Sequence, residues 1–368
     1  MNRTTPAAPA ANTRFGFCDL LRVMACLMVF WDHNGPMRFP NWIVSQWIRR
    51  YICAPLGIIQ DFGNLGVMLF FLCSGFLFAH SLEKAERLGR MLLGRLIRIL
   101  VPLMAITIVF YGFQAVYGLV VHEPTYFAQF GLWDWVQSAT LFSFILGVPD
   151  AIYGVTWFLF PLIVFQLLAT LGYYLVRCRP ARLCLMMDIL CVVVYGSIRL
   201  LPGLFGILFY LQYLPVLLVG SVLYWYQRER FSRRHTCLQL AFPVVMFMAL
   251  CRRCSPGCFD VPESIPLQFF WGTAIFVIAM LLEGQRPLAV PRVIRRFAQF
   301  SYGVYLCQMT FGALALDAAL RVWHRIPLGL AVLFSFVSTL LLAAAFHQWI
   351  EKPVAFVLQY RRKTVRQQ

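Results

Sequence analysis

The chain has 368 residues, of which 61% are hydrophobic, 16% aromatic and only 13% charged. Soluble domains average about 25% charged residues, so this composition excludes a water-soluble globular protein and indicates a polytopic membrane protein. The net charge of +17 would also suit a nucleic-acid-binding protein, so the positions of the basic residues decide between the two classes.

The first segment, residues 1–14, has no apolar core and is expected to be a disordered cytoplasmic tail rather than a signal peptide. Ten apolar runs follow it, most of them near the ~20 residues that a bilayer requires. They lie near 17–34, 62–80, 99–121, 152–176, 183–198, 204–226, 237–251, 266–283, 297–319 and 328–350. The sequence therefore predicts an all-α bundle of about ten transmembrane helices.

The basic residues between these runs predict the orientation of the chain. With the N-terminus in the cytoplasm, 23 of the 32 Lys and Arg residues fall in inside segments and 8 in outside segments. Cytoplasmic loops of membrane proteins carry such an excess. We therefore expect both termini in the cytoplasm, a membrane domain over 15–355 and a basic tail over 356–368. The net charge then reflects topology, and no nucleic-acid partner is predicted.

The first predicted helix carries an arginine and a histidine on one stripe. Arg22 and His33 are eleven residues apart, which on a helix is about three turns, roughly 16 Å of rise and about 20° of rotation. Ionisable groups at membrane depth are costly and usually face a protein interior or a water-filled cavity, where they mark a function. The alternative is an Asp19–Arg22 ion pair at one end of the helix and a histidine that reaches the interface at the other.

Small residues in the second helix and arginines after it form the next pattern. Gly66 and the pair Ser74-Gly75 would let a neighbouring helix or a ligand approach the backbone closely. Arg95 and Arg98 are three residues apart and share a helix face. Arginines at a cavity mouth suit phosphate groups through forked hydrogen bonds. Ordinary helix packing and the positive-inside rule are the alternatives for the two patterns.

Three cysteines cluster on the predicted outer side, at Cys251, Cys254 and Cys258. Three thiols lack a fourth ligand for a structural zinc site, and the sequence shows no other metal-ligand cluster, so no metal is predicted. A disulfide among them is an alternative if the compartment is oxidising.

In chain order, these motifs resemble those of the integral-membrane acyltransferase family 3, whose members O-acylate surface polysaccharides, glycans and antibiotics. The likeness covers nearly the whole chain. One departure is Gln308, where the family commonly carries His, although Gln still donates and accepts hydrogen bonds. The matching motifs are Asp19-x-x-Arg22 with His33 after ten intervening residues, Gly66-Val-x-x-Phe70-Phe71-x-x-Ser74-Gly75-Phe76, Arg95-x-x-Arg98-Ile-x-x-Pro102, Thr156-Trp157-Phe158-Leu159, Ser301-Tyr302-Gly303-Val304-Tyr305-Leu306 and Glu351-Lys352-Pro353.

The resemblance implies an enzyme that moves an acyl group, usually acetyl, from cytosolic acetyl-CoA to a sugar hydroxyl of an exported or surface glycan. It implies that Arg22 holds a phosphate or stabilises charge on the thioester side, and that Arg95 and Arg98 support the donor. His33 would be the general base for the acceptor hydroxyl or would transiently carry the acyl group, and both roles stay open. The acceptor would be a glycan or a lipid-linked sugar, and a bacterial inner membrane fits best.

Further candidates follow with less support. Ser74 is either a hydroxyl in the site or a packing contact, and Trp157 either lines the donor tunnel or anchors the chain at the membrane interface. His122 and Glu123 could supply an acid and a base near the acceptor.

Three other histidines, His80, His324 and His347, are expected to be terminal or interfacial. Glu351 is expected to fix the end of the last helix rather than to take part in catalysis.

A different class of function stays open, because a transporter or flippase of a polar or lipid-linked substrate would use the same buried polar groups for binding. Gly- or Pro-interrupted helices in matching halves, which many transporters have, are not apparent in the sequence.

Overall fold

The computed structural model describes residues 15–58, 60–121, 129–152, 155–254, 265–286 and 288–358. It is 84% helical, and the described residues include no strand, as the composition predicted. The predicted tail over 1–14 and residues 359–368 of the predicted basic tail lie outside the described residues.

The first half of the chain begins with a helix of 19 residues and continues with two long ones joined by residues 84–87. Short helical turns fill the connections at Arg49–Cys53, Ala54–Leu56, Gln60–Phe62 and Val155–Phe158. The helices are α1 (Gly16–Asn34), α2 (Ile43–Ile48), α3 (Gly63–Glu83), α4 (Leu88–Val121), α5 (Leu132–Thr140), α6 (Phe142–Leu146), α7 (Leu159–Leu175) and α8 (Pro180–Leu200).

The second half contains four long helices and several short ones. A π-helical turn, His347–Glu351, extends the last helix. The helices are α9 (Phe205–Leu211), α10 (Leu214–Gln227), α11 (Arg233–Cys254), α12 (Ile265–Gln285), α13 (Arg292–Gln299), α14 (Ser301–Gln308), α15 (Phe311–Val322) and α16 (Leu328–Phe346).

In the part of the chain that the structure describes, eight helices are long and apolar enough to cross a membrane. The bent pair α14–α15, which turns by 50° at its break, makes nine if it is one span. α1 has the length to cross as well, but it carries three charged residues, Asp19, Arg22 and Asp32, and it packs along α3. With α1 the count is the predicted ten. The runs that were short in the sequence become α8, of 21 residues, and α11, of 22, because flanking polar residues continue the helices.

α3 lies at the centre of the bundle, against α1, α10 and α12. The small residues that the sequence singled out make this packing close. A Cβ added at Gly66 would lie 2.9 Å from the Ala25 carbonyl oxygen on α1, and one at Gly75 would collide with the Leu217 carbonyl oxygen on α10. Ser221 of α10 donates a hydrogen bond to the Gly75 carbonyl at 2.9 Å. The prediction of close helix approach at these glycines is confirmed.

α12 holds the beginning of α1. The Glu283 carboxylate accepts hydrogen bonds from the backbone N–H groups of Gly16 and Phe17 at 3.0 and 2.5 Å. A carboxylate at a helix N-terminus accepts hydrogen bonds from N–H groups that have no partner within the helix, and its negative charge is attracted by the positive end of the helix dipole. This contact fixes the start of α1, and therefore the depth of Arg22.

Candidate functional site

A cavity of about 870 Å³ lies where α3 ends and α4 begins, a region called here the basic end of the bundle. This volume is within the ~300–1,000 Å³ range of small-molecule sites. Basic side chains dominate its charged lining, with Glu86 and Glu351 as the acidic members. The basic lining residues are Arg22, Lys84, Arg87, Arg90, Arg95 and Arg98.

Four of the residues singled out in the sequence line this one cavity, namely Arg22, Ser74, Arg95 and Arg98. They come from three helices and are separated by up to 76 positions in the chain. The structure therefore brings together Arg22 of the first helix, Ser74 of α3 and the arginines at the start of α4. The basic segment is the name used below for Arg87, Arg90, Arg95 and Arg98.

Arg22 is fixed inside the cavity by α14. Its Nη2 donates a hydrogen bond to the Ser301 hydroxyl oxygen at 2.8 Å, and that hydroxyl donates to the Ala298 carbonyl at 3.0 Å. One turn along α1, the Cys26 thiol lies 3.3 Å from the Ser301 carbonyl oxygen. The hydrogen bond to Ser301 directs the Arg22 guanidinium toward α14 inside the bundle.

Arg95 ties α4 to α3. Its Nη2 donates to the Leu77 carbonyl at 2.9 Å and to the Ser81 hydroxyl at 2.7 Å, and its guanidinium lies 5.2 Å from the centre of the Phe78 ring. Ser74, Leu77 and Ser81 lie on one face of α3, at helical spacings of three and four. That face lines the cavity, whereas the next residue, Gly75, faces α10.

A histidine–glutamate pair belongs to the same cavity. His347 Nδ1 and Glu351 Oε2 are 2.5 Å apart, both side chains are mostly buried, and Arg22 acts electrostatically on Glu351. The expectation of an interfacial His347 and a purely structural Glu351 missed this placement. Their spacing of four residues, which puts them on one helix face, was the available signal.

His80 also lines the cavity, at the end of α3. Tyr224 donates its hydroxyl proton to the Glu83 carboxylate at 2.7 Å, so its oxygen accepts from His80 Nδ1 at 3.1 Å. The ring proton is therefore on Nδ1, which leaves Nε2 as a hydrogen-bond acceptor. Arg230 completes the network by donating to Glu83 at 2.6 Å. Tyr224 is 144 positions from His80, and no local pattern could have paired them.

His33 is not among the residues that line this cavity. It lies at the opposite end of α1, called here the far end, about 16 Å from Arg22 by helical rise. Its Nδ1 is buried and has no hydrogen-bond partner within the described ranges. The neighbouring Asp32 packs against Gly63 of α3.

Three aromatic rings in the cavity lining pack against one another. Phe70, Phe158 and Tyr305 all line the cavity, and their ring centres are 5.6–6.1 Å apart. All three are buried. We call this group the aromatic floor.

Trp157 packs beside the aromatic floor rather than in the cavity lining. Its ring is stacked on Tyr210 with centres 6.2 Å apart, and it lies 5.1 Å from Tyr213 and 6.2 Å from Phe71. It is therefore part of an internal aromatic cluster, one residue before Phe158.

Two sequence predictions cannot be placed. His122 and Glu123 lie outside the described residues. Cys251 and Cys254 are buried at the end of α11, but Cys258 lies outside the described ranges, so the disulfide stays a prediction. Within those ranges, no group of three His, Cys, Asp or Glu side chains could hold a metal ion.

These features define an integral-membrane helical protein with a basic cavity at one end and, at the other, a partly buried histidine whose Nδ1 is shielded from solvent. The acyltransferase domain model of the acyltransferase 3 family matches residues 15–348, nearly the whole chain. The chain belongs to this family and is a membrane acyltransferase. Neither the curated proteins nor the solved structures give a match to it.

Proposed function

We propose that this protein is an O-acetyltransferase that moves an acetyl group from cytoplasmic acetyl-CoA to a sugar hydroxyl of an exported or surface glycan. The observation that carries the proposal is the cavity of about 870 Å³, in which the basic segment and Arg22 of an acyltransferase line a single space. CoA carries several phosphate groups, and a basic cavity concentrates such an anion.

The donor would enter at the basic end of the bundle. Arg98, with its neighbours in the basic segment, would bind phosphate oxygens, since guanidinium groups form paired hydrogen bonds with them. Arg95 would support the donor partly through its hydrogen bonds to α3. Arg22 and Ser74 lie at helix positions deeper in the bundle, where they suit the thioester end.

The acyl transfer would take place toward the far end. A C–O bond forms between the acceptor hydroxyl oxygen and the acyl carbon while the C–S bond of the thioester breaks. His33 takes the hydroxyl proton, and the thiolate leaves and is protonated as CoA. In the alternative course, His33 first accepts the acyl group on a ring nitrogen and then passes it to the hydroxyl.

Both courses require the thioester to pass the aromatic floor, because His33 lies about 16 Å beyond Arg22. The pantetheine arm of CoA is long and thin, and rotation of Phe70, Phe158 or Tyr305 would open a path for it. This arrangement would separate a cytoplasmic donor from an acceptor on the other side of the membrane. The basic end would then face the cytoplasm, and we propose the bacterial inner membrane as the location.

The test uses the full chain in nanodiscs with acetyl-labelled acetyl-CoA and a crude glycan pool. Wild type is compared with His33→Ala and Arg22→Ala, and His324→Ala is the control because His324 is exposed in the connection between α15 and α16. We expect an alkali-labile glycan ester in wild type and in the control, and its loss in the two other variants. Equal labelling in His33→Ala would remove His33 from the mechanism. A folded wild type that neither labels glycan nor binds CoA would contradict the proposed function and favour a transporter.

A further inference from the structure

Unpaired carboxamides are buried at the far end, where the helix pair α14–α15 breaks. Gln308, the last residue of α14, is 1% exposed, and neither its Nε2 nor its Oε1 has a hydrogen-bond partner among the described residues. Asn34, the last residue of α1, is fully buried, and its Oδ1 is also unpaired within these ranges. Buried polar groups without partners are costly and rare, so each one calls for a ligand or a structural explanation.

The two residues are in contact. Asn34 Nδ2 lies 3.4 Å from the backbone carbonyl oxygen of Gln308 and 3.4 Å from that of Phe30. At their other ends the same two helices are joined by Arg22 and Ser301 at 2.8 Å. α1 and α14 therefore run side by side in the same direction, from the cavity to this group. His33 precedes Asn34 directly, and its Nδ1 is the third buried polar group here without a partner in the described part of the chain.

A further amide approaches the same break from α4. The rings of Phe110 and Phe113 lie 5.3 and 5.7 Å from that of Phe311, the first residue of α15. Gln114 follows one turn after Phe110 and is 6% exposed, and neither of its amide atoms has a partner within the described ranges. Neutral amides thus flank the helix break from two sides.

The chemistry of these groups selects the kind of ligand. A carboxamide carries no charge and presents a C=O acceptor beside an NH₂ group with two N–H donors. Two neighbouring hydroxyl groups of a sugar match this pair, because one hydroxyl accepts from Nε2 while the next donates to Oε1. A charged or purely apolar ligand would leave at least one of these atoms unpaired.

We propose that Gln308, with Asn34 beside it, binds a pair of neighbouring hydroxyl groups on the acyl acceptor and is a specificity-determining residue of the transfer reaction. This inference rests on the proposed O-acetyltransferase function. It places the acceptor next to His33 at the far end, with the donor on the other side of the aromatic floor.

The experiment measures acetyl transfer by the full chain in nanodiscs. The donor is labelled acetyl-CoA, and the acceptors are methyl hexopyranosides and their monodeoxy analogues, each lacking one hydroxyl of a neighbouring pair. Each monodeoxy analogue loses one neutral hydrogen bond, which is worth about threefold to tenfold in binding. Wild type should therefore prefer the complete sugar over the best-discriminated deoxy analogue by about that factor in kcat/KM.

The variants isolate the carboxamide. Gln308→Met keeps a similar side-chain length without hydrogen-bonding atoms and should abolish the preference, while the KM for acetyl-CoA stays unchanged. Gln308→Asn withdraws the amide by one methylene and should lower the preference, which keeps the test available if the methionine variant does not fold. Gln212→Met is the matched control, because Gln212 is equally buried and unpaired among the described residues and lies between α9 and α10.

The outcomes separate this inference from the proposed function. A wild type that acetylates glycosides without preferring neighbouring hydroxyls, or a Gln308→Met variant with the full wild-type preference, would overturn the role of Gln308 alone. The second result would mean that the amide is satisfied by water or by the protein. A wild type that transfers acetyl groups to no glycoside and no glycan would overturn both.

Discussion

The hydrogen bond between Arg22 and Ser301 gives the most specific prediction about the cavity. Ser301 is fully buried, accepts from Arg22 Nη2 at 2.8 Å and donates to the Ala298 carbonyl at 3.0 Å. Ser301→Ala removes this acceptor while Arg22 keeps its charge and its place on α1. The variant therefore tests whether the orientation of the guanidinium matters for the reaction.

The size of the effect follows from the kind of bond. A hydrogen bond to a charged group contributes about 1.5–3 kcal/mol. If all of that were lost in the transition state, kcat/KM for acetyl-CoA would fall by about 10- to 150-fold. Water in the cavity can solvate the released guanidinium, so we expect the lower end, a decrease of about tenfold.

The assay compares initial rates of CoA release from acetyl-CoA in Ser301→Ala and Ser335→Ala. Ser335 is also fully buried and donates to a backbone carbonyl, that of Gly312 at 2.7 Å, away from the cavity. Both variants should lose about 1 kcal/mol of stability, but only Ser301→Ala should lose activity. Activity of Ser301→Ala within twofold of the Ser335→Ala value would show that the orientation of Arg22 by Ser301 is irrelevant.

Three further outcomes are expected. Gly75→Ala should lower the Tm by several degrees, because its Cβ would collide with the Leu217 carbonyl. Gly112→Ala is the control and should leave the Tm unchanged or raise it, because the space around Gly112 is open. The measurement is thermal unfolding in detergent, and equal Tm values for the two variants would refute the packing argument. Arg98→Gln should raise the KM for acetyl-CoA about tenfold with little change in kcat. The difference in KM between wild type and variant should shrink in high salt, which screens the charge. A salt-independent loss of kcat would contradict a role of Arg98 in binding phosphate. Glu283→Gln should cost about 1 kcal/mol of stability, because the uncharged amide is a weaker partner for the first N–H groups of α1. An unchanged Tm would contradict a stabilising role of the Glu283 carboxylate.

The sequence was sufficient where the signal lies within one helix or in a motif. The spacing of Arg95 and Arg98 and the adjacency of Ser74 and Gly75 gave their helix faces, and the family motifs linked them to Arg22. In the structure, Ser74, Arg95 and Arg98 line one cavity together with Arg22. Gly75 packs against α10 instead. Apolar run length likewise predicted the helices, since a bilayer fixes their minimum length.

The sequence was insufficient where partners come from distant helices. The pairing of His80 with Tyr224 depends on how α3 packs against α10. His347 and Glu351 looked like helix-end residues because hydropathy cannot tell which face of a final helix meets a cavity. Helical spacing predicts one stripe for Arg22 and His33, but it cannot tell which of the two residues meets a cavity, and Arg22 lines the basic cavity whereas His33 does not.

The most direct measurement uses proteoliposomes with the protein in one orientation, acetyl-labelled acetyl-CoA in one compartment and glycan in the other. We expect labelled glycan ester only when acetyl-CoA is on the side of the basic end of the bundle, and no ester with His33→Ala in the same arrangement. Ester formed only when donor and glycan share a compartment, or formed equally from either side, would contradict a donor cavity at the basic end and an acceptor site at the far end.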